Sequence, residues 1–283
     1  MTELERAVMT LSCLDADGVP KVPDAGKIIE YQGQLVQVMH NGLRVVAGGY
    51  HGDWMADVIR GLRGHHEPQE ELIFHHLLRY VRQKSVFVEL GAFWAYYSNW
   101  YLSSVFASRA LCIEPDMNNM AVGQANLALN GHTADVINAC VGAEHHMSVT
   151  ISRESDGAQV DVPRYCMAEV VQAANTPCIE ILHMDVQGAE LPFLSSMHEH
   201  VKAGRVRFLI VSTHHELISG SPTTHQDCLS EIERMAGIVL CEHTIQESYS
   251  GDGLIVASFF AGDRPIKLPE ISRNRTSTSL FRS

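Results

Sequence analysis

The sequence predicts an α/β fold in which a mostly parallel, Rossmann-like sheet of seven strands is covered by helices on both faces. The apolar run 86–90 breaks at Gly91, and a helical pattern begins at Tyr96. This is the strand, tight turn and helix that open a nucleotide-binding unit. A second apolar run, 110–113, ends at Glu114, a position from which a carboxylate reaches a ribose. Further strand-like runs alternate with helical patterns, as in sheets built from parallel strands.

Local signals place the elements along the chain. Pro68, directly after Glu67, indicates the first turn of a helix that precedes the sheet. Asn130 and Gly131 form a typical helix end, and the turn at 155–157 indicates a hairpin inserted at the sheet edge after the third strand. Strands one to seven are predicted at 86–90, 110–113, 135–138, 179–184, 206–211, 238–241 and 254–260, with intervening helices beginning near residues 96, 118, 163, 192 and 224.

The regions that flank this core carry other signals. An arm up to about residue 24 is predicted to be poorly structured or docked on a partner. Strands between 28 and 47 follow, with a hairpin turn at Asn41 and Gly42. The loop 48–54 is either a packed turn or a lid over an active site. The resulting division is 1–66 for this N-terminal, β-containing appendage, 67–262 for the main domain and 263–283 for a polar tail that is disordered or hugs the surface.

The charge and the cysteines limit the function and the compartment. The 283 residues carry a formal net charge of −12, so neither nucleic acid nor an anionic membrane is an expected partner. The N-terminus shows no signal-peptide pattern, and no apolar run approaches the length of a membrane span. The cysteines are odd in number and form no C-x-x-C pair, which is typical of reduced thiols in a cytoplasmic protein.

The residues of the first turn separate two classes of cofactor. Glu89 would bring its negative charge close to a pyrophosphate, and Ala95 stands where the dinucleotide fingerprint has a later glycine. S-adenosylmethionine fits better, because it has an ammonium, a sulfonium and a ribose whose diol Glu114 would bind. An NAD-dependent oxidoreductase with the same glycine turn is the alternative, and Glu114 has a second interpretation as a favourable charge at a helix N-terminus.

Four sequence motifs follow one another along the main domain. Residues 89–98 read Glu-Leu-Gly-Ala-Phe-Trp-Ala-Tyr-Tyr-Ser, residues 113–115 read Ile-Glu-Pro, residues 126–131 run from Asn to Asn-Gly, and residues 183–190 read His-Met-Asp-Val-Gln-Gly-Ala-Glu. In order and spacing they resemble the FkbM family of class I S-adenosylmethionine-dependent methyltransferases, over roughly residues 67 to 200. The chain departs from the family pattern at Phe93, Ala95, His183 and Gln187, where Asn, Gly, Lys and Glu are usual.

The resemblance implies the class I methyltransferase fold, with an antiparallel last strand, and S-adenosylmethionine as cofactor. Asn138 ends the third strand, beside which adenine often packs in this class. Asp185 is expected at the methionine end of the cofactor, although a helix cap is its alternative role. The residues expected to contact the cofactor are Glu89, Gly91, Ala92, Tyr97, Glu114, Asn138 and Asp185.

Polar residues at the ends of later strands are the candidates for catalysis. Asp185 follows an apolar strand, and a histidine near it could take a proton from an acceptor hydroxyl at neutral pH. The histidine candidates are His214, His215 and His243. Because adjacent strand residues point to opposite sides, one solvated and one packed imidazole is the competing interpretation of the first two.

A divalent metal is a further expectation from the resemblance, because some FkbM-like sugar O-methyltransferases bind one at these strand ends. The matching positions are Asp185, His214, His215 and Glu216. Imidazole combined with carboxylate suits Mn, Fe, Ni or Zn better than Mg.

These observations predict a methyltransferase that acts on a hydroxyl of a small molecule or carbohydrate. A non-catalytic protein that kept the fold for binding or scaffolding is the other alternative. The changes at Phe93, Ala95 and Gln187 favour it, and the retained acids Glu89 and Glu114 oppose it. The N-terminal hairpin offers a free edge, so a homodimer is also an expectation.

Overall fold

A computed structural model of the protein describes residues 2–275 and 277–281. The strands are β1 (Ile28–Tyr31), β2 (Gln34–Val38), β3 (Arg44–Val46), β4 (Val86–Leu90), β5 (Arg109–Ile113), β6 (Asp135–Ile137), β7 (Cys140–Val141), β8 (His146–Ser152), β9 (Gln159–Tyr165), β10 (Ile179–Met184), β11 (Val206–Thr213), β12 (Ile238–His243) and β13 (Gly253–Ser258). The α-helices are α1 (Glu3–Leu11), α2 (Asp53–Gly61), α3 (Pro68–Leu77), α4 (Tyr96–Ser104), α5 (Met117–Leu129), α6 (Met167–Ala174), α7 (Glu190–Ser195), α8 (His198–Lys202), α9 (Glu216–Ser219) and α10 (Thr224–Arg234).

The central sheet has seven strands in the order β12-β13-β11-β10-β4-β5-β6. β13 runs antiparallel to both of its neighbours, and the pairs from β11 to β6 are parallel. The prediction of a seven-stranded, mostly parallel sheet with an antiparallel last strand is therefore confirmed. The strand order reverses between β4 and β10, and in open α/β sheets ligands bind beyond the carboxyl ends of the strands at such a point.

The apolar strands are buried on both faces. β4 is buried at every position, with Val86, Val88 and Leu90 packed into one core cluster and Phe87 into the cluster on the opposite face. Because successive side chains of a strand point to opposite faces, a strand between two helical layers needs a continuous apolar run. Each such side chain contributes about 1.5–3 kcal/mol on full burial, so these clusters fix the positions of the strand ends.

The N-terminal region is more ordered than the sequence predicts. The first residues form α1, which begins at a capping box between Thr2 and Glu5. Arg6 of α1 hydrogen-bonds Asp252 at 3.1 Å, and Thr10 donates to the carbonyl of Tyr249 at 3.0 Å. The arm therefore docks on the loop before β13, and the expectation of poor structure is wrong. β1, β2 and β3 form a separate antiparallel sheet, as the hairpin signal indicates.

Two further segments pack around the main sheet. β8 and β9 form a hairpin that pairs with the short β7, and it is the insertion predicted after the third strand. The described part of the tail follows α1 and the loop after β12, where the amide of Ser272 donates to Asp15 and that of Asn274 to the carbonyl of Glu247. The tail was predicted to be either disordered or bound to the surface, and these residues are bound to the surface. Within the described residues, no helix is long and apolar enough to cross a membrane.

Candidate cofactor and acceptor site

A cavity of about 500 Å³ opens beyond the carboxyl ends of β4, β5 and β10. The turn after β4 forms its floor, and the β8–β9 hairpin forms one wall. Aromatic side chains close the opposite side, where Tyr50 stacks on Trp94 at 4.3 Å between ring centroids. The loop 48–54, predicted as a packed turn or a lid, therefore contributes an aromatic wall through Tyr50 and His51.

The turn after β4 needs glycine at its first position. Gly91 has a φ of 76°, and a Cβ built on it would lie 1.7 Å from the carbonyl oxygen of Asp185. This close approach joins the ends of β4 and β10, and it brings Asp185 to the cavity. Ala95 starts α4 in the left-handed conformation with a φ of 54°, where an L-residue costs about 1–2 kcal/mol relative to glycine. The replacement of the family's usual glycine is thus accommodated with backbone strain.

Glu89 lines the cavity and also supports the next helix. Its carboxylate accepts hydrogen bonds from the amide of Ser98, at 3.1 Å, and from the Ser98 hydroxyl. Burial raises the pKa of Glu89 to about 7, and these hydrogen bonds and the neighbouring His183 offset only part of that effect. Glu89 therefore lines the cavity and at the same time fixes the first turn of α4.

Glu114 presents a fixed carboxylate at the end of β5. One oxygen accepts from the amide of Phe93 at 3.0 Å and the other from the amide of Asp116 at 2.8 Å. Burial raises the pKa of Glu114 to about 7 against the effect of these two amides. The carboxylate lines the cavity with its direction set by backbone groups, which is the preorganisation that a ribose diol requires.

The other expected cofactor residues divide into two groups. Ala92 and Tyr97 line the cavity together with Gly91. Asn138 is exposed, and its amide nitrogen donates to the carbonyls of Glu114 and Pro115 at 3.2 and 2.9 Å. Of this stretch, Ala139 and Cys140 line the cavity and Asn138 does not. Asn138 instead stabilises the backbone that carries Glu114.

Asp185 and His214 come together as predicted for the strand ends. His214 Nε2 lies 3.2 Å from Asp185 Oδ1, and its Nδ1 lies 2.6 Å from Glu190 Oε1. Burial opposes a charge on the imidazole, but Asp252, Asp185 and Glu190 outweigh it and hold the pKa of His214 well above its usual value. Burial likewise raises the pKa of Asp185, yet His214 lowers it below the usual value. At neutral pH this is a carboxylate held by an imidazolium.

The remaining catalytic and metal candidates lie apart from Asp185. His215 stacks on Phe281 at 4.2 Å, and Glu216 is exposed in α9. His243 is buried against the carbonyl of Thr244, and burial lowers its pKa to about 4. Because β11 ends at Thr213 and the chain turns into α9, only the first of the two adjacent histidines faces the cavity side.

The proposed metal set of Asp185, His214, His215 and Glu216 is therefore not assembled. Both ring nitrogens of His214 already have carboxylate partners, and two of the four residues point elsewhere. The structure therefore gives no support to the divalent ion that the resemblance implies at these four residues.

The structure adds a group that sequence reasoning missed, at the start of α3. Glu67 lines the cavity, where its Oε2 accepts from the hydroxyl of Tyr97 at 3.3 Å and lies 3.4 Å from Nε2 of His66. Burial opposes a charged His66, but Glu67 and Glu71 raise the pKa of that imidazole to about 10. The only sequence signal at Glu67 was its position before Pro68, which predicts a helix start and no site.

Two comparisons with known proteins gave matches. A model of the methyltransferase FkbM domain matches residues 86–237, more than half of the chain. Similar solved structures include precorrin-6y C5,15-methyltransferase from Geobacter metallireducens GS-15, with 10% identity, 68% of this chain and 89% of that chain covered, and a TM-score of 0.43. Ribosomal protein L11 methylase from Lactobacillus delbrueckii subsp. bulgaricus has 10% identity, 69% and 81% coverage and a TM-score of 0.41.

A third similar structure is that of Aeropyrum pernix fibrillarin with natively bound S-adenosyl-L-methionine. It shows 10% identity, covers 87% of this chain and 86% of that chain, and has a TM-score of 0.43. A search of curated proteins finds no relative of this chain.

Proposed function

The chain belongs to the FkbM family of S-adenosylmethionine-dependent methyltransferases, and from that premise we propose that it methylates a hydroxyl group of a small molecule or sugar. The observation that carries the proposal is the carboxylate of Asp185. It lines the cavity, and its contact with the imidazolium of His214, 3.2 Å away, keeps it ionised and able to accept the proton of a hydroxyl group.

The chain's own groups fit the cofactor in this cavity. Bound S-adenosylmethionine would supply an activated methyl group on a sulfonium. Glu114 would accept hydrogen bonds from the ribose hydroxyls, because each of its oxygens keeps a free lone pair beside one backbone amide. Glu89 would place a negative charge near the cationic end, and the missing side chain at Gly91 lets the ligand approach the backbone.

The acceptor end of the cavity is formed by Glu67 and Asp185. His66 lowers the pKa of Glu67 and His214 lowers that of Asp185 against the effect of burial, so both carboxylates are ionised and would repel a phosphate. A hydroxyl compound adds no charge, and carboxylates bind hydroxyl groups by accepting their hydrogen bonds. The partly exposed rings of Tyr50 and Phe93, which line the cavity, offer an apolar contact for a sugar ring or another flat acceptor.

Asp185 is the base in this proposal. It lies beside Gly91 at the junction of β4 and β10, and His214 and Glu190 hold its carboxylate in one orientation. Asp185 would accept the proton of the acceptor hydroxyl as that oxygen took the methyl group from the sulfonium, and the electron pair of the broken carbon–sulfur bond would stay on sulfur. Alignment of the two reactants supplies much of the acceleration.

Transfer of a labelled methyl group tests this proposal. The protein is incubated with S-adenosylmethionine that carries a trideuteromethyl group and with methyl glycosides, catechol and an amino sugar, and products are identified by mass spectrometry. We expect label on a hydroxyl, and loss of transfer in Asp185→Asn with retained cofactor binding. Transfer to amino groups alone would overturn the choice of hydroxyl. Binding of NAD in place of S-adenosylmethionine would contradict the cofactor assignment.

A further inference from the structure

Two carboxylates at the acceptor end of the cavity each keep one oxygen without a protein partner. Glu67 Oε2 accepts a hydrogen bond from the hydroxyl of Tyr97 at 3.3 Å and lies 3.4 Å from Nε2 of His66. Asp185 Oδ1 lies 3.2 Å from Nε2 of His214. Within the described part of the chain, no hydrogen bond reaches Glu67 Oε1 or Asp185 Oδ2, although both residues line the cavity. Two oxygens are therefore free to accept hydrogen bonds from a bound molecule.

The fold places these two carboxylates on the same face of the central sheet. The rings of Tyr97 and His183 pack with centroids 4.5 Å apart, and the hydroxyl of Tyr97 reaches Glu67. Asp185 follows His183 by two positions, and its amide continues the strand pairing by donating to the carbonyl of Leu90 at 3.0 Å. Side chains two positions apart leave the same face of a strand, roughly 6–7 Å apart. One small molecule can therefore span the distance from Asp185 to Glu67.

The surrounding charges keep Glu67 ionised. Burial and the negative charge of Asp185 oppose its ionisation, but His66 holds the pKa of Glu67 below its usual value. Because charge interactions weaken with distance, the effect of Asp185 also means that the two carboxylates lie close together. Burial opposes a charge on His66, but Glu67 and Glu71 raise its pKa to about 10. An ionised carboxylate only accepts hydrogen bonds, so a ligand at this end needs two donor groups.

We propose that the methyl acceptor is a vicinal diol and that Glu67 selects it, an inference that rests on the function proposed above. Asp185 receives the proton of the hydroxyl that is methylated. Glu67 Oε1 accepts a hydrogen bond from the hydroxyl on the adjacent carbon, and that hydroxyl keeps its proton. Sugars and catechols carry such a pair, and their rings would contact Tyr50 and Phe93, which line the same cavity.

The same arrangement limits the reaction to one methyl group per diol. One hydroxyl proton passes to Asp185 as its oxygen takes the methyl group from the sulfonium, and the electron pair of the broken carbon–sulfur bond stays on sulfur. The product is a monomethyl ether with one hydroxyl left. With that hydroxyl at Asp185, the ether oxygen would face Glu67 Oε1, and no proton would lie between the two oxygens. A site that is built to accept a hydrogen bond rejects a compound that lacks the donor, so a second transfer is expected to be slow.

Methyl acceptors that differ in one hydroxyl test the proposal. For the unmodified protein, kcat/KM is measured with catechol, with phenol, and with hydroquinone, whose two hydroxyls lie at opposite ends of the ring. We expect catechol to exceed phenol about 10- to 100-fold, as for one hydrogen bond to a charged group, and hydroquinone to behave like phenol. A cyclohexanediol with adjacent hydroxyls and cyclohexanol repeat the comparison without an aromatic ring. Mass spectrometry should find only the monomethyl ether of each diol.

Glu67→Gln tests whether this residue sets the preference. The hydroxyl of Tyr97 and the imidazolium of His66 favour the amide oxygen on their side, so the amide nitrogen takes the place of Oε1 and a donor replaces an acceptor. The variant should lose about tenfold or more in kcat/KM for catechol, mainly through KM, and stay within about threefold for phenol. It should also methylate guaiacol, the monomethyl ether of catechol, faster than the unmodified protein does.

Glu154→Gln is the matched control for a lost carboxylate in the cavity. Glu154 lines the cavity from the turn of the β8–β9 hairpin, and Asn119 donates to its carboxylate at 3.2 Å. This variant should keep the preference for catechol over phenol. Loss of the preference in Glu154→Gln but not in Glu67→Gln would overturn the assignment to Glu67.

The outcomes separate this proposal from the proposed function. Equal kcat/KM for catechol and phenol in the unmodified protein would overturn the diol proposal and leave methyl transfer to hydroxyls intact. An equal loss with both compounds in Glu67→Gln would also overturn it, because a merely structural role has that effect. Transfer to no hydroxyl compound would overturn both proposals. If Glu67→Gln does not fold, the comparison of catechol, phenol and hydroquinone in the unmodified protein decides.

Discussion

Binding of S-adenosylmethionine is expected to weaken sharply below neutral pH. Burial raises the pKa of Glu89 to about 7, so in the free protein this group is largely protonated in mildly acidic solution. A cationic ligand beside it favours the ionised form and lowers the pKa in the complex. Binding below pH 7 therefore expels a proton, and the affinity rises with pH until the free protein is already ionised.

The size of the effect follows from the fraction of ionised carboxylate. With a pKa of about 7, roughly 3% of Glu89 is ionised at pH 5.5 and roughly 90% at pH 8. The dissociation constant should therefore fall about 30-fold between these two pH values from this group alone. The pKa of Glu114 is also raised to about 7, and ionisation of both groups on binding would steepen the dependence.

Isothermal titration calorimetry measures both parts of this prediction. Titrations at several pH values give the affinities, and buffers with different ionisation enthalpies at one pH give the number of protons released. Glu89→Gln should bind more weakly at pH 8 and lose one group's share of the pH dependence. An affinity that is the same at pH 5.5 and pH 8 in the unmodified protein would refute the reasoning, because it would mean that no buried carboxyl group is coupled to the ligand.

Three further predictions concern single side chains of the site. Gly91→Ala should abolish cofactor binding and lower the melting temperature, because the added Cβ would lie 1.7 Å from the carbonyl oxygen of Asp185. Gly18→Ala is the control and should change neither property, because nothing lies within 4 Å of its added Cβ. Equal melting temperatures for the two variants would contradict this prediction. Glu114→Ala should weaken S-adenosylmethionine binding about 10- to 100-fold at pH 8, as measured by calorimetry, because charge-assisted hydrogen bonds to the ribose are lost. Asn138→Ala should have a much smaller effect. A larger effect at Asn138 would mean that Asn138, and not Glu114, is the main contact to the cofactor. Asp185→Asn should lower kcat at least about 100-fold with little change in cofactor affinity, and a variant with unchanged kcat would exclude Asp185 as the base.

Local patterns were sufficient to predict the sheet and part of the site. The unbroken apolar runs at 86–90 and 179–184 fit strands buried on both faces, and Gly91 and Glu114 follow directly from the ends of such strands. The carboxyl ends of parallel strands lie along one edge of the sheet regardless of the loops that follow them. For that reason the approach of His214 to Asp185 could also be predicted, although the distance between them could not.

Other features depend on how distant segments dock. Arg6 and Glu67 reach the acceptor end because α1 packs on the loop before β13 and α3 begins beside the cavity, and no short-range pattern encodes either contact. Which of the adjacent His214 and His215 faces Asp185 could not be predicted, because it depends on where β11 ends. Where α9 begins, the period of two no longer applies. Asn138 was expected to contact the adenine because it ends the third strand. In the structure its side chain donates a hydrogen bond to the carbonyl of Glu114 instead.

The contact between Arg6 and Asp252 limits the order in which parts of the protein can fold during synthesis. The two residues are 246 positions apart in sequence, so at 5–20 residues per second the ribosome needs roughly 10–50 s to deliver the second after the first. During that interval α1 lacks its docking surface, and the acceptor end lacks the ion pair of Arg6 with Asp252. A nascent chain can therefore complete the turn at Gly91 well before it can complete the acceptor site, and chains that stop short of β13 should transfer no methyl group.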